Sequence, residues 1–283
     1  MSQAKSGVEL IEVANKAAVV KAESSWIRLA VLGIMAGAYI AFAAQGSTMA
    51  AYNLLAEAGS YGLGRVLAGA VFTVGLMLCV VAGAELFTGN TLMAGAVANR
   101  HIPFKGMLRN WGIVYFANLA GSLLIVCMLS SSGLWHSSGD LLGAMTIKIA
   151  AGKTGLAFES AFVLGILCNW LVCLAVWMAW SAESVGGKLA ACFFPIWLFV
   201  TSGFEHSVAN MYYIPAGIVA KSFPEYAAKA IEIGVTENAL AGLDWYGFFV
   251  NNLVPVTLGN IVGGAFFVSL AYIAANRKWK KNT

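Results

Sequence analysis

Two apolar stretches of this chain run too long for one plain membrane crossing, and polar residues break each of them. The first break reads Gly83-Ala84-Glu85-Leu86-Phe87-Thr88-Gly89-Asn90. The second, 120 residues on, lies in Ser202-Gly203-Phe204-Glu205-His206-Ser207-Val208-Ala209-Asn210-Met211. Polar side chains and interrupted backbone at bilayer depth persist only where protein or a water-filled cavity satisfies them. Two broken segments at matching places in two halves mark a transport protein built from inverted repeats, with its site near the midplane.

With 60% hydrophobic residues, 11% charged and a mean hydropathy of +0.78, the chain reads as a polytopic membrane protein. Its apolar stretches cover roughly 27–47, 67–97, 114–130, 157–181, 189–220 and 248–275. Most reach the ~20 residues that cross a ~30 Å core, so six crossings are predicted. Residues 1–25 read as a cytoplasmic amphipathic helix with Val8, Ile11, Ala14, Ala18 and Val19 on one stripe, and no cleaved leader is expected. Residues 26–276 form the transmembrane domain, and 277–283 a basic cytoplasmic tail. With the N-terminus inside, inner segments hold Lys5, Lys16, Lys21, Arg28, Arg100, Lys105, Arg109, Lys188, Arg277, Lys278, Lys280 and Lys281. Outer ones hold only Arg65, Lys148, Lys153, Lys221 and Lys229, which places both termini in the cytoplasm. The basic balance is therefore juxtamembrane anchoring, with no nucleic-acid partner implied. Cys79, Cys127, Cys168, Cys173 and Cys192 all sit in apolar stretches without CxxC spacing and read as reduced packing residues. The three histidines are scattered, so no metal site or cofactor is implied.

Residues 27–130 and 157–275 align by landmarks. Gly83-x-Glu85 answers Gly203-x-Glu205, each followed five residues later by Asn90 or Asn210. Asn110, Asn118 and Gly121 answer Asn252, Asn260 and Gly263, and Gly33 and Gly37 answer Gly165 and Asn169. Three spans per half invert the second repeat relative to the first. The small residues read as close helix contacts.

Glu85 and Glu205 are read as anchors of the broken backbone, with Glu205 accepting from backbone N–H groups or from Asn residues of the other repeat. His206 carries the functional claim, because its unperturbed pKa near 6.5 lets it change charge in the physiological range. Thr88, in the opposite break, offers a hydroxyl to the same ligand. Phe72, Leu76, Leu86, Phe87, Val172 and Phe199 are candidates for narrow apolar constrictions. Lys153, before the fourth span, would draw anions to the mouth.

The two breaks, together with Asn169-Trp170-Leu171-Val172-Cys173-Leu174-Ala175-Val176-Trp177-Met178 and Pro255-Val256-Thr257-Leu258-Gly259-Asn260, closely resemble the signatures of formate/nitrite transporters. The resemblance runs from about residue 10 to 276. It implies an aquaporin-like all-α protomer of six helices in two inverted three-helix repeats, with the second and fifth helices broken. It also implies a homopentamer in the inner membrane, one pore per protomer, passing formate, nitrite or hydrosulfide with protons. Carried over by residue, the central group is Thr88 and His206, with Asn169 facing the pore beside them and Lys153 in the vestibule. Phe72, Leu86 and Phe199 form the outer slit, and Leu76, Phe87 and Val172 the inner one. The formate branch looks most similar.

A neutral-solute channel of the aquaporin type would carry two Asn-Pro-Ala half-helix caps, and the chain has none. An intramembrane enzyme would need a nucleophile–base pair or a motif such as H-E-x-x-H, also missing here. Ser207 beside His206 lacks a third orienting group.

Overall fold

A computed structural model describes residues 4–276; the basic tail expected at 277–283 lies outside the described residues. Helix α1 is Val8–Glu23 and α2 is Trp26–Ala56. The second span, α3 (Ala58–Gly83), stops at the first break, beyond which the short α4 (Phe87–Asn90) and α5 (Met93–Ala98) follow. Helix α6 is Phe104–Ser130, α7 is Leu141–Thr154 and α8 is Phe158–Ser181. Helix α9 (Val185–Ser202) stops at the second break, and α10 (Ser207–Lys221) resumes after it. Two short helices, α11 (Pro224–Glu232) and α12 (Glu237–Ala241), precede the last span, α13 (Gly247–Asn276). Six helices, α2, α3, α6, α8, α9 and α13, are long and apolar enough to cross a membrane.

The third span starts ten residues before the apolar run expected at 114. Asn110 is fully buried inside α6, so its polar side chain hid a helix that continues through it. Helix α7 was not foreseen either. It occupies in the second half the place that α1 holds in the first, so each repeat is a short leading helix plus three crossings.

The halves close on small residues. A methyl group on Gly37 would overlap the Asn118 carbonyl oxygen, and one on Gly121 the Ile34 carbonyl oxygen, so α2 and α6 touch backbone to backbone. In the second half Gly259 meets the Phe162 carbonyl and Gly263 the Ile166 carbonyl, pressing α8 on α13 in the same way. Such contacts supply packing where apolar lipid gives no hydrophobic drive between helices.

Both broken helices end alike. Gly83 and Gly203 take φ of 83° and 82°, the left-handed region that only glycine enters cheaply. The amides of Ala84 and Phe204 then bond back to the Cys79 and Phe199 carbonyls at 2.9 and 3.1 Å. Each chain next runs extended for three residues before the following helix starts.

The face of α1 that packs inward carries most of the expected stripe and adds Leu10 to it. Leu10 and Ala18 are buried, Ile11, Ala14 and Val19 pack beside them, and Val8, with the outer edges of Ile11 and Val19, borders a groove of about 680 Å³. Lys21 lies on the inward side, one turn beyond Ala18.

Candidate functional site

Each break is held by one asparagine from the last helix of its own repeat. Asn118 accepts from the Phe87 amide at 2.9 Å and donates to the carbonyls of Glu85 (2.9 Å) and Gly33 (2.8 Å). Asn260 accepts from the Ser207 amide at 2.9 Å and donates to the carbonyls of Glu205 (3.0 Å) and Gly165 (2.8 Å). The Glu85 and Glu205 amides reach the Leu32 and Leu164 carbonyls, both at 3.2 Å. Backbone groups freed by the break are thus paired within protein, as apolar surroundings demand.

The two carboxylates anchor the breaks, with partners different from those expected. Glu205 accepts from Lys153 and Asn210, both at 2.7 Å, and from Asn252 at 3.4 Å. These donors belong to its own repeat, not to the other one. Glu85 accepts from Lys21 at 2.8 Å through both oxygens and from Asn90 at 2.7 Å. Asn90 and Asn210 also donate to Asn110 (2.8 Å) and Asn252 (2.7 Å), and those amides in turn donate to the Lys21 and Lys153 carbonyls. The correspondence makes Lys21 the counterpart of Lys153. Sequence reading missed it, counting Lys21 only among the inner-side cations that set orientation. The usable signal was its place three residues after Ala18 on the packed stripe.

Lys153 neither snorkels nor stands free as expected of a lone vestibule lysine. Its side chain is 16% exposed and paired with Glu205 at the wall of a cavity of about 330 Å³. Arg65, Lys148, Phe72, Phe199, Tyr213 and His206 line the same cavity. A second cavity, of about 700 Å³, is lined by Lys5, Lys21, Arg28, Lys188, Glu85 and Glu183, with Leu76 and Leu86 among its apolar residues. Arg28 and Leu32 near the start of α2 line the Glu85 cavity, and Thr48 and Leu55 near its end line the Glu205 cavity. Since α2 is 31 residues long, about 46 Å at 1.5 Å per residue, the cavities open toward opposite ends of the molecule. Cations outnumber carboxylates in both linings.

Between the cavities the repeats stop matching. Where the first break has Leu86 the second has His206, and where the second has Val208 the first has Thr88. These two unmatched polar residues meet: Thr88 Oγ1 and His206 Nε2 lie 2.9 Å apart, with Thr88 fully buried and His206 nearly so. His206 also caps α10, its Nδ1 accepting from the Ala209 amide at 3.0 Å. An acceptor at Nδ1 puts the proton of the neutral ring on Nε2, aimed at Thr88. The Thr88 hydroxyl, accepting from the ring, keeps its own proton to donate.

The other expected residues divide. Phe72 and Phe199 line the Glu205 cavity and touch edge to face at 5.8 Å, and Phe199 lies 5.9 Å from the His206 ring. Leu86 does not join them, because the extended backbone after Glu85 carries it, with Leu76, to the other cavity. Phe87 packs on Tyr115 and Trp111 (4.8 and 6.0 Å) and, like Val172, lines neither cavity. Asn169 faces neither one. Its amide donates to the Thr88 carbonyl (3.1 Å), Thr91 Oγ1 (3.0 Å) and the Asn260 carbonyl (2.6 Å), tying the first break to α13. No cluster of His, Cys, Asp or Glu that could hold a metal occurs among the described residues.

The family described as Formate/nitrite transporter matches residues 8–274. The chain is 38% identical to "Formate channel FocA" of Escherichia coli (strain K12) over 269 residues, which span 93% of this chain and 91% of that one. It is 38% identical to the "Probable formate transporter" of Methanothermobacter thermautotrophicus over 96% of this chain and 97% of the other. A solved "Pentameric formate channel with formate bound" superposes with a TM-score of 0.80 at 39% identity, covering 88% of this chain and 97% of that one.

Proposed function

The chain belongs to the formate/nitrite transporter family, and on that premise we propose that it carries formate across a cell membrane as a proton-linked passage through the Thr88–His206 contact. The observation that carries this reading is the contact of Thr88 with His206, two polar residues that stand where the other repeat has Val208 and Leu86, beside two cavities rich in cations. An anion gathers in one cavity, squeezes past Phe72 and Phe199 or past Leu76 and Leu86, and meets the Thr88 O–H and the His206 Nε2–H.

Magnitudes favour passage as the acid. The idealised cost of taking a bare carboxylate from water to a medium of ε ≈ 4 is of order 20 kcal/mol. Protonating a carboxylate of pKa near 4 at pH 7 costs only about 4 kcal/mol. A proton arriving at His206 Nδ1 displaces the Ala209 N–H bond, at about 1–3 kcal/mol. The ring is then a donor at both nitrogens and passes the Nε2 proton to the anion. The neutral acid leaves, and moving the remaining ring proton back to Nε2 restores the cap.

The reading extends to a homopentamer, as in the similar solved structure, with one pore per protomer in the inner membrane. Both termini are cytoplasmic, so the Glu85 cavity with α1 opens inward and the Glu205 cavity outward. Residues 1–25 and 26–276 then act as one pore unit, because Lys21 from the former completes the inner vestibule. Nitrite and hydrosulfide are the alternative cargoes, since either anion fits the same pair of donors.

Purified protein in liposomes tests the reading through formate, nitrite and hydrosulfide flux over a pH series. Formate should pass fastest, and His206→Phe should flatten the pH profile. Absence of flux for all three anions rules out transport by this route, and a His206→Phe profile identical to the parent rules out the histidine's role.

A further inference from the structure

The Glu205 cavity contains an unbroken run of ring contacts from its lysine to its histidine. The Lys153 ammonium lies over the Tyr213 ring, 5.4 Å from the centroid. Tyr213 stacks on Phe72 at 6.5 Å with the planes 16° apart, Phe72 meets Phe199 edge to face, and Phe199 meets His206. Tyr213 is the only member that touches both the cation and the apolar slit. Ser47 and Thr48 of α2 line the same cavity as Tyr213.

We propose that Tyr213 is a specificity-determining residue of the anion pathway, one that fixes the Lys153 charge and the width of the Phe72–Phe199 slit together. The inference rests on the reading of the Glu205 cavity as the anion's route. Two physical effects converge on this side chain. A cation over an aromatic face is held by the ring quadrupole, most strongly where water is sparse. Held there, and bonded to Glu205 through one oxygen at 2.7 Å, the ammonium keeps its remaining protons for the cavity. At the same time the stacked ring backs Phe72, so the slit cannot widen without disturbing the lysine. A residue without a π face at this position frees both. Lys153 then keeps only its bond to Glu205 and loses the ring that fixes its position, which weakens anion capture, and Phe72 gains a second rotamer, which lets hydrated ions through.

The ring, not the hydroxyl, is assigned this role, and the assignment separates it from simple core filling. In liposomes, Tyr213→Leu should raise the formate concentration at half-maximal flux about three- to tenfold, the range expected for losing a partly desolvated cation–ring contact. It should also admit chloride more readily than the parent does. Tyr213→Phe, which keeps the π face, should hold half-saturation within about twofold of the parent and admit no more chloride than the parent does. A core-filling role would lower maximal flux and thermal stability without altering half-saturation or selectivity. If the leucine variant does not elute as a folded oligomer, Tyr213→Met serves with the same expected shifts. A conducting parent matched by Tyr213→Leu in half-saturation and chloride entry overturns the inference alone, as does a phenylalanine variant that behaves like leucine. A parent that carries no formate overturns the functional reading and this inference together.

Discussion

Replacing Asn260 with alanine should unfasten the second break. The amide serves three backbone groups, the Ser207 N–H and the carbonyls of Glu205 and Gly165. Gly165 lies inside α8, where the helix ladder still satisfies its carbonyl. Ser207 and Glu205 have no such ladder at the break, so two buried groups lose their partner. At about 1–3 kcal/mol for each unpaired buried group, the loss is roughly 4 kcal/mol. For a chain of this size, 1 kcal/mol moves the midpoint by roughly 2–4 °C, so thermal unfolding in detergent should fall by about 10 °C. Tryptophan fluorescence during heating reads the change. Asn118→Ala should cost nearly the same, because it strands the Phe87 N–H and the Glu85 carbonyl in the matching place. Either variant melting within about 2 °C of the parent would refute the bracket; a large difference between the two would refute their equivalence.

Three further outcomes follow from the same geometry. Gly37→Ala should destabilise by several kcal/mol and lower the yield of folded protein, because the methyl meets the Asn118 carbonyl, whereas Gly112→Ala, which meets nothing within 4 Å, should be tolerated. Lys21→Met should leave Glu85 with Asn90 as its remaining side-chain donor at the mouth of its cavity, costing about 1–3 kcal/mol for this partly exposed pair and reducing formate entry; adding Glu85→Gln should recover part of the stability. Thr88→Val, equal in shape but without the hydroxyl, should leave the His206 Nε2–H unpaired and cut formate flux at least tenfold at unchanged expression, read in liposomes.

Much of this site was legible in the sequence because a membrane makes polar residues conspicuous. The two breaks, the Glu85–Asn90 and Glu205–Asn210 spacings and the Asn110/Asn118 and Asn252/Asn260 landmarks all mark real contacts. What stayed hidden was three-dimensional direction. Asn169 is polar in an apolar helix whether it faces a pore or braces backbone, and only the fold shows its amide nitrogen against the Thr88 carbonyl, Thr91 Oγ1 and the Asn260 carbonyl while its Oδ1 is buried without a partner among the described residues. Leu86 follows Glu85 in extended backbone, so helical periodicity could not tell which cavity it enters. Lys21 sits in a segment of mixed charge where surface exposure is the ordinary reading, and only the docking of α1 reveals its partner. Tyr213 is one aromatic among several, and its link between Lys153 and Phe72 joins residues 60 and more positions apart.

Passage of the neutral acid can be tested by separating charge from mass. Liposomes holding the protein and an internal pH dye are clamped with potassium and valinomycin, and formate uptake is followed at imposed potentials of either sign. A bare anion crossing 100 mV gains or loses about 2.3 kcal/mol, roughly a fiftyfold bias in its distribution. Coupled passage through Thr88 and His206 predicts uptake indifferent to the potential, with one proton entering per formate. Uptake that follows the potential and leaves the internal pH unchanged would contradict it.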